Sequence, residues 1–175
     1  LENLITDIGA RLSGDALPPE AKLVGLRLEE TPRPEAERKS AMPEQASLTR
    51  TYEFSASHRL HSEALSHEEN LQLFGKCNNP RGHGHNYVLE VTVTGIPDSA
   101  TGMVIDLGSL DELVHREVVD RYDHRNLNED SPEFAGRNTT SEIVATEIFS
   151  RLRPHLPITR VRLHETARNI FEVSA

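Results

Sequence analysis

The sequence contains a single cysteine, Cys77, among its 175 residues. One cysteine cannot form an internal disulfide, so the composition predicts a cytoplasmic protein with a free thiol. The 19 basic side chains are outnumbered by 28 acidic ones, which gives a net charge of -9 and disfavours nucleic acid as a partner. No apolar stretch approaches the roughly 20 residues of a membrane span, and no secretory signal is visible, so neither a membrane partner nor secretion is predicted.

Aliphatic residues are scarce between about Thr31 and Gln45, where the sequence reads TPRPEAERKSAMPEQ. This stretch is rich in proline, glutamate and arginine, a composition typical of a solvated linker. We therefore predict a linker over residues 32–46, followed by the main domain over residues 47–175.

The segment before the linker resembles the back half of the main domain. ENLITDIGARL, residues 2–12, aligns position by position with EIVATEIFSRL, residues 142–152. LVGLRLEET, which ends at Thr31, aligns in the same way with ITRVRLHET, which ends at Thr166. The alignment predicts a partial repeat over residues 1–31, with one helix and one strand. The alternative is chance, because many amphipathic helices are followed by a strand.

Alternating apolar positions predict two long strands at the start of the main domain. The first lies in TYEFSASHRL and the second in HGHNYVLEVTVTG, and an irregular insertion from Ser62 to Asn79 separates them. The residues that share one face are Tyr52, Phe54, Ala56 and His58 in the first strand, and His83, His85, Tyr87, Leu89, Val91 and Val93 in the second.

Two helices and two further strands follow. A period close to 3.6 predicts a helix over Asp106 to Val119, and TTSE predicts the start of another, with Thr139 and Glu142 forming a capping box. ITRVRLHETA and NIFEVSA predict the last strands. The order β-β-α-α-β-β indicates an α+β fold with a four-stranded antiparallel sheet and two helices on one face.

Histidines on the apolar faces of the two long strands suggest a metal site. His83 and His85 point the same way because they are two residues apart on a strand. If the two strands are neighbours, His58 joins them at one end of the sheet. Three imidazoles without a fourth protein ligand suit zinc with an open coordination position. Cys77 is better interpreted as a nucleophile or base, because structural zinc thiolates usually come in pairs.

Each of these residues also has a simpler interpretation. A His-x-His pair is often two surface side chains, and a lone cysteine is often a small buried hydrophobe. The pair Asp123-His124 is a common dipeptide of solvated loops. Glu165 could be an edge-strand charge, although it has the parity of the apolar Val161 and Leu163 and should need a partner if buried.

Six motifs occur together in one order. They are FSASHRLHS, LFGKCNNPRGHGHNY, TGMVIDLGSL, YDHRNLN, TTSEIVA and LHETARN, and they extend from about Leu48 to Val173. In order and approximate spacing they resemble the 6-pyruvoyl-tetrahydropterin synthase family. The fold implied by this resemblance is the tunnelling fold, which agrees with the α+β architecture predicted from the patterns.

The resemblance also implies roles for individual residues. It implies a Zn²⁺ ion held by three histidines, a catalytic cysteine, an Asp-His pair that completes the proton-transfer system, and a glutamate that anchors the pterin ring. The matching positions are His58, His83 and His85 for zinc; Cys77, Asp123 and His124 for catalysis; and Glu165, with Thr140, Ser141 and Glu142, for the pterin pocket.

The implied activity is that of a carbon-oxygen lyase, which converts 7,8-dihydroneopterin triphosphate to 6-pyruvoyl-tetrahydropterin and eliminates triphosphate. One alternative is the related 6-carboxy-tetrahydropterin synthase of queuosine biosynthesis, in which the cysteine typically lies closer to the His-Gly-His motif. Five residues separate Cys77 from His83 here, which favours the pyruvoyl enzyme. An alternative of another class is a non-enzymatic zinc- or pterin-binding module.

The resemblance implies an oligomer as well. Family members join their sheets edge to edge into a trimeric barrel, and two trimers stack, so a homohexamer is the expectation. The pocket would then combine zinc, Cys77 and Glu165 of one subunit with Asp123 and His124 of its neighbour.

Overall fold

The computed structural model describes residues 2–12, 25–29, 34–39 and 45–175. Its centre is the antiparallel pair β3 (Ala46–His58) and β4 (His83–Gly95), which runs without interruption from Ala46↔Gly95 to His58↔His83. The prediction that the two long strands are neighbours is confirmed. Their alternation places apolar side chains on one face throughout, since successive side chains point to opposite faces.

Two more strands complete the predicted antiparallel sheet. Strand β6 (Ile158–His164) pairs with β4, and β7 (Ile170–Ser174) pairs with β6. The four strands β3, β4, β6 and β7 confirm the α+β architecture that was predicted from the sequence.

The sheet is larger than four strands, which corrects the predicted count. Strands β1 (Gly25–Glu29) and β2 (Pro34–Lys39) form an antiparallel pair, and β2 pairs with the outer edge of β3. The short β5 (Arg125–Asn126) runs parallel to β3 on the same edge, which makes a seven-stranded mixed sheet. Strand β2 lies within the predicted linker. Backbone N–H and C=O groups at the edge of β3 would otherwise be unpaired, and they form hydrogen bonds with β2. The composition of residues 32–46 gives no sign of this pairing.

Both predicted helices pack on the apolar face. Helix α3 (Leu107–Val114) is capped by Asp106, continues through a π-helical turn (His115–Val119) and ends in the single turn α4 (Asp120–Tyr122). Helix α5 (Ser141–Leu152) lies beside it. The core they share with the sheet contains, among others, Leu110, Val114, Val118, Val144, Ile148 and Leu152 against Tyr87, Leu89, Val91, Val161 and Leu163.

The N-terminal helix α1 (Glu2–Leu12) packs beside this core. Its buried Ile5 contacts Ala46 at the start of β3, and Leu26, Leu28 and Val104 pack around the two residues. Val104 also packs against the main core, so the two apolar clusters are continuous. Among the described residues, no helix is both long and apolar enough to span a membrane.

The insertion between β3 and β4 is ordered, which corrects the prediction of an irregular segment. It contains α2 (His67–Phe74), where Ser66 and Glu69 form a capping box, and a 3₁₀ turn (Gly75–Asn78). The only buried residue of α2 is Asn70. An apolar stripe is therefore absent from this helix, and the periodicity that reveals most helices is missing.

The predicted capping box of α5 does not form. The N-cap of α5 is Thr140, and its side chain makes no capping hydrogen bond. The side chain of Thr139 turns towards the end of β3, where its hydroxyl lies 3.5 Å from the carbonyl oxygen of Arg59. The tertiary contact with Arg59, the residue after β3, replaces the local cap at this position.

The side chain of Asn70 is expected to contribute strongly to the free energy of unfolding. Its Oδ1 accepts from the backbone N–H of Ser62, and its Nδ2 lies 2.8–3.0 Å from the carbonyl oxygens of Ser62, Leu65 and Ser66. Replacement by alanine removes the side-chain partners of the Ser62 N–H and the Leu65 carbonyl, both on half-buried residues, while the carbonyls of Ser62 and Ser66 each keep a backbone hydrogen bond. Asn70→Ala should therefore lower the free energy of unfolding by about 2 kcal/mol or more, measured by urea denaturation. The matched control Gln72→Ala, on the exposed side of the same helix, should change it by less than about 0.5 kcal/mol. Equal effects of the two substitutions would contradict this role.

Candidate active site

Three histidines converge at one end of the sheet, as predicted. His58 at the end of β3 lies directly opposite His83 at the start of β4, and His85 lies two residues further along β4. The ring centroids are 4.6 Å apart for His58 and His83, 5.1 Å for His58 and His85, and 4.8 Å for His83 and His85. The three residues form the one group in the described part of the chain that could hold a metal ion, with potential ligand atoms within 4.8 Å of one another.

Hydrogen bonding prepares His58 to be a ligand. Its Nδ1 lies 2.7 Å from the carbonyl oxygen of Thr139, which can only accept, so Nδ1 carries the hydrogen and Nε2 presents a lone pair. That Nε2 is 3.2 Å from Nε2 of His83. Burial lowers the pKa of both His58 and His83, which favours the neutral form that binds a cation.

The same cluster contains polar atoms that the protein leaves unsatisfied. His83 Nδ1 and His85 Nε2 are buried without a hydrogen-bond partner among the described residues. Buried polar groups are normally paired, so the orphaned Nε2 of His85, 3.7 Å from Glu165 and on a ring next to those of His58 and His83, indicates a missing partner in the cluster. A divalent metal with nitrogen preference fits this set, and three protein ligands would leave one coordination position for substrate or water.

Glu165 lies at the edge of the histidine cluster. Its Oε1 is 3.7 Å from both His58 Nε2 and His85 Nε2. The hydroxyl of Ser141 donates to Oε1 at 2.9 Å, and Nδ2 of Asn169 lies 3.3 Å from Oε2. The carboxylate is 14% exposed, so it is held in place with acceptor capacity still open to a ligand.

The ring of Tyr87 packs beneath the histidine cluster and forms an aromatic floor for it. Tyr87 is fully buried on the same face of β4, its ring 5.6 Å from that of His85 and stacked at 5.0 Å on Phe54. Burial raises the pKa of the Tyr87 phenol, so the group remains a neutral hydroxyl. The ring lies between the metal cluster and the apolar core, and it separates the two.

The Asp123-His124 pair lies on the outer edge of β3. Asp123 Oδ2 is 2.8 Å from Nδ1 of His124, and its Oδ1 accepts from the backbone N–H of Ser55. The Ser55 N–H, and then the His124 ring, hold the pKa of Asp123 below its usual value. His124 has a φ of 58°, an unusual conformation for a non-glycine residue, and its own N–H donates to the Ser55 carbonyl at 2.6 Å.

The His124 side chain points away from the core. It is 82% exposed and lines a groove of about 410 Å³ with Ser57 and Asn86, which have the opposite parity to the three histidines, and with His85 itself. Strands β3 and β4 separate β5, next to His124, from β6, which ends beside Glu165. Three strand spacings amount to about 14 Å. The structure thus brings Glu165 to the histidines of its own chain but leaves His124 facing outward.

Cys77 lies in the 3₁₀ turn, half-buried, and is not a member of the metal-binding group. The turn is tied to the chain just beyond His58, since the Leu60 N–H donates to the Cys77 carbonyl and the Asn78 side chain donates to the Leu60 carbonyl. The predicted roles of Cys77, Asp123 and His124 remain predictions, as does the pocket role of Thr140. Glu142 is exposed in the first turn of α5.

Some contributors were not identified from the sequence. The carbonyl of Thr139 orients His58, Asn169 contacts Glu165, and Tyr87 forms the floor. Tyr87 is separated from His83 and His85 by an even number of residues along β4, and this spacing could have predicted that its ring lies on the same face as theirs. The backbone carbonyl of Thr139 left no signal, because any residue type could supply it.

Fold and site together define an α+β protein with a three-histidine centre at the end of an antiparallel sheet. Residues 47–175 match the family described as 6-pyruvoyl tetrahydropterin synthase, and the chain belongs to that family. The predicted family is thereby confirmed, and with it the prediction of an enzyme of the lyase class.

Individual relatives agree. The human 6-pyruvoyl tetrahydrobiopterin synthase is 50% identical over 129 residues, which cover 72% of this chain and 89% of the human protein. The 6-carboxy-5,6,7,8-tetrahydropterin synthase of Rickettsia conorii is 28% identical over 146 residues, covering 71% of this chain and 97% of that protein. The structure of Caenorhabditis elegans 6-pyruvoyl tetrahydropterin synthase superimposes with a TM-score of 0.72 and 43% identity, over 75% of this chain and 96% of that one.

The histidine cluster should bind about one divalent metal ion per chain when the protein is purified without chelators. His83→Ala should lose that metal, since two imidazoles are too few ligands for tight binding. Elemental analysis of the purified proteins measures the difference. The control is His155→Ala, which removes an exposed histidine outside the cluster and should retain the metal. Equal metal content in the two variants would show that the ion, if any, binds elsewhere.

Proposed function

We propose that this chain converts 7,8-dihydroneopterin triphosphate to 6-pyruvoyl-tetrahydropterin, with elimination of triphosphate, in a zinc-dependent reaction in the cytoplasm. The observation that carries the proposal is the arrangement of Glu165 at 3.7 Å from two of three converging histidines, in a chain 50% identical to human 6-pyruvoyl tetrahydrobiopterin synthase over 129 residues. A metal centre and a fixed carboxylate are adjacent, so one ligand can reach both.

The carboxylate is suited to orient a pterin. Ser141 and Asn169 occupy one direction at each carboxylate oxygen, and the remaining lone pairs can accept two N–H donors from the amino-pyrimidine edge. The Tyr87 floor and the buried His58 exclude water from the inner end of the site. Substrate bound by Glu165 would extend its side chain towards the three histidines.

His58, His83 and His85 would hold the zinc ion. When bound, the zinc supplies Lewis-acid polarisation of the substrate hydroxyls, which acidifies the neighbouring C–H bonds. Cys77 is proposed to act as the base that takes a carbon-bound proton, since it lies outside the metal group and its sulfur is not occupied as a metal ligand. The C–O electrons leave with triphosphate. The later rearrangement is internal, so no nicotinamide or flavin is required.

Asp123 and His124 are proposed to exchange protons with the substrate. Asp123 remains ionised at neutral pH because its pKa is lowered, and its carboxylate faces Nδ1 of His124. Nδ1 therefore carries the hydrogen, and Nε2 is the atom that receives or returns a proton. The left-handed backbone of His124 fixes the direction in which the ring projects.

Turnover of 7,8-dihydroneopterin triphosphate tests the proposed reaction, with the product identified by mass spectrometry. A 6-pyruvoyl product is expected. A 6-carboxy product would assign the chain to the queuosine branch, and an absence of turnover in metal-loaded protein would indicate a binding module.

Cys77→Ala should lower kcat by about 10²- to 10⁴-fold and leave metal content and substrate affinity close to wild type, because the base is lost while the pocket remains. Kinetics and equilibrium binding measured on the same preparations separate the two effects. Cys77 would be reassigned to a structural role if its removal left kcat within about twofold of wild type.

We also propose that the working site is shared between chains, in an oligomer joined through sheet edges, with a homohexamer of two trimers as the expected state. The exposed His124 supports sharing, as does its separation from Glu165 across two intervening strands. The histidine cluster and Glu165 of one chain would then meet the His124 of another where the edge of one sheet approaches the edge of the next.

Mixing inactive variants tests the sharing. Cys77→Ala and His124→Ala homo-oligomers should each be nearly inactive, and mixed oligomers should regain activity, because some interfaces then combine an intact Cys77 with an intact His124. The measurement is turnover after co-refolding or subunit exchange. A mixture of wild type with each variant, at the same total concentration, corrects for dilution. If co-assembled mixtures show no recovery, both residues act within one chain.

A further inference from the structure

The N-terminal segment repeats the C-terminal one strand for strand. A single offset of 135 residues converts the pairing of β1 with β2 into the pairing of β6 with β7. The pair Gly25↔Lys39 corresponds to Arg160↔Ser174, Leu26↔Arg38 to Val161↔Val173, Arg27↔Glu37 to Arg162↔Glu172, Leu28↔Ala36 to Leu163↔Phe171, and Glu29↔Glu35 to His164↔Ile170. One matched pair fixes all the others in an antiparallel hairpin, so the finding is that the two hairpins share one register, at the same offset that aligns LVGLRLEET with ITRVRLHET.

The helices correspond as well. Ile5 and Gly9 are buried in α1, and the positions 140 residues later in α5, Ala145 and Phe149, are buried too, although Leu4 is exposed where its counterpart Val144 is fully buried. Leu26 and Leu28 of β1 pack around Ile5, and their counterparts on β6, Val161 and Leu163, belong to the core that α5 covers. Helix and hairpin are therefore arranged alike in the unit α1-β1-β2 and in the unit α5-β6-β7.

The N-terminal unit shows how such a unit seats on a sheet edge. Strand β2 pairs with β3 in the register Pro34↔Arg50, Glu35↔Thr49, Ala36↔Leu48 and Glu37↔Ser47. Strand β7, the counterpart of β2, is the last strand at the opposite end of the sheet, and no strand of the described ranges pairs with its outer side. The offset of 135 places Glu172 of β7 where Glu37 of β2 now lies, opposite Ser47.

We propose that α1-β1-β2 is a surrogate for the α5-β6-β7 unit of a second copy of this chain. It occupies the edge of β3 to which the second copy's β7 would otherwise pair, in the register Glu172↔Ser47. The N-terminal unit thereby competes with self-association through β3.

This competition affects whether the proposed active site can be completed by a second chain, an inference that rests on the proposed function. The Asp123-His124 pair lies on the same edge of β3, bonded to Ser55, a few residues beyond the segment that β2 covers. A unit seated on that edge therefore lies next to His124. The N-terminal unit brings no histidine there, since the first histidine of the sequence is His58. A glutamate is common to both units, because Glu30 aligns with Glu165, but only the unit of a second chain would bring the three-histidine cluster with it.

Pairs of introduced cysteines in the full chain can distinguish whether β2 of the same chain or β7 of a second copy occupies the edge of β3. In a Cys77→Ser background, Glu37→Cys with Ser47→Cys should form an intrachain disulfide on mild oxidation, because the two positions are cross-strand partners. Glu172→Cys with Ser47→Cys, which also replaces one glutamate and the same serine, should form interchain disulfides only when a second copy displaces β2. Non-reducing electrophoresis separates monomers from linked chains, and neither readout depends on activity.

A substitution that weakens the pairing of β2 should shift the equilibrium at the β3 edge from β2 towards the β7 strand of a second copy. Ala36→Pro, in the strand between β1 and β3, should increase the yield of the interchain disulfide in the Glu172→Cys/Ser47→Cys protein by about tenfold or more, because a central strand tolerates proline poorly. Ala36→Val, which keeps the strand, should leave the yield unchanged. Interchain yields that are equal in the Pro and Val backgrounds would overturn the proposal.

A second measurement avoids proline altogether. Light scattering over a concentration series should show that the oxidised Glu37→Cys/Ser47→Cys protein stays at a fixed low mass, whereas its reduced form associates more as concentration rises. Association that is equal in the oxidised and reduced forms would place the self-association surface elsewhere and refute the competition. The catalytic proposal would be unaffected, because its test is turnover.

Discussion

The register between β3 and β4 is the constraint on which the rest of the structure depends. With His58 opposite His83, the ladder runs to Ala46 opposite Gly95 and puts the core residues of both strands on one face. A slip of one residue would turn every side chain of a strand to the other face. The three histidines would then be separated, and the core would be exposed by the same change. Burial of the apolar face therefore stabilises the arrangement of the histidines as well as the sheet.

The cost of this arrangement is a polar cluster at the end of an apolar core. Burying imidazoles and a carboxylate is unfavourable unless they are paired. The first residues of α5 and the segment before it supply the pairing, with the Thr139 carbonyl on His58 and the Ser141 hydroxyl on Glu165. Helix α5 is fixed by its own buried face, through residues such as Val144 and Ile148. Packing of a helix thus determines the tautomer of His58 and the orientation of the Glu165 carboxylate.

Structural features that follow from the alternation of apolar and polar side chains along a strand could be predicted from the sequence. Strand β4 has the predicted bounds, and the convergence of His58, His83 and His85 follows from their parity on two neighbouring strands. Features that depend on tertiary partners were not. Helix α2 carries a capping signal but only one buried side chain, Asn70, so its amphipathic pattern is weak. Strand β2 is Pro- and Glu-rich and owes its place to the edge of β3, which local propensity does not describe.

The π-helical turn between α3 and α4 has a consequence for how this family of sequences can vary. Such a turn contains one residue more than the α-helical path it replaces. One residue can therefore be removed within His115–Val119 without rotating the helix that follows, because a regular α-helical path joins the same ends. The same deletion in the regular turns of α3 would rotate everything after it by about 100° around the helix axis. Tyr122, now fully buried with its hydroxyl on Glu133, would then leave the core, and the Asp123 carboxylate would leave the Ser55 N–H. A single-residue deletion should therefore be tolerated in the π-helical turn far more readily than in α3.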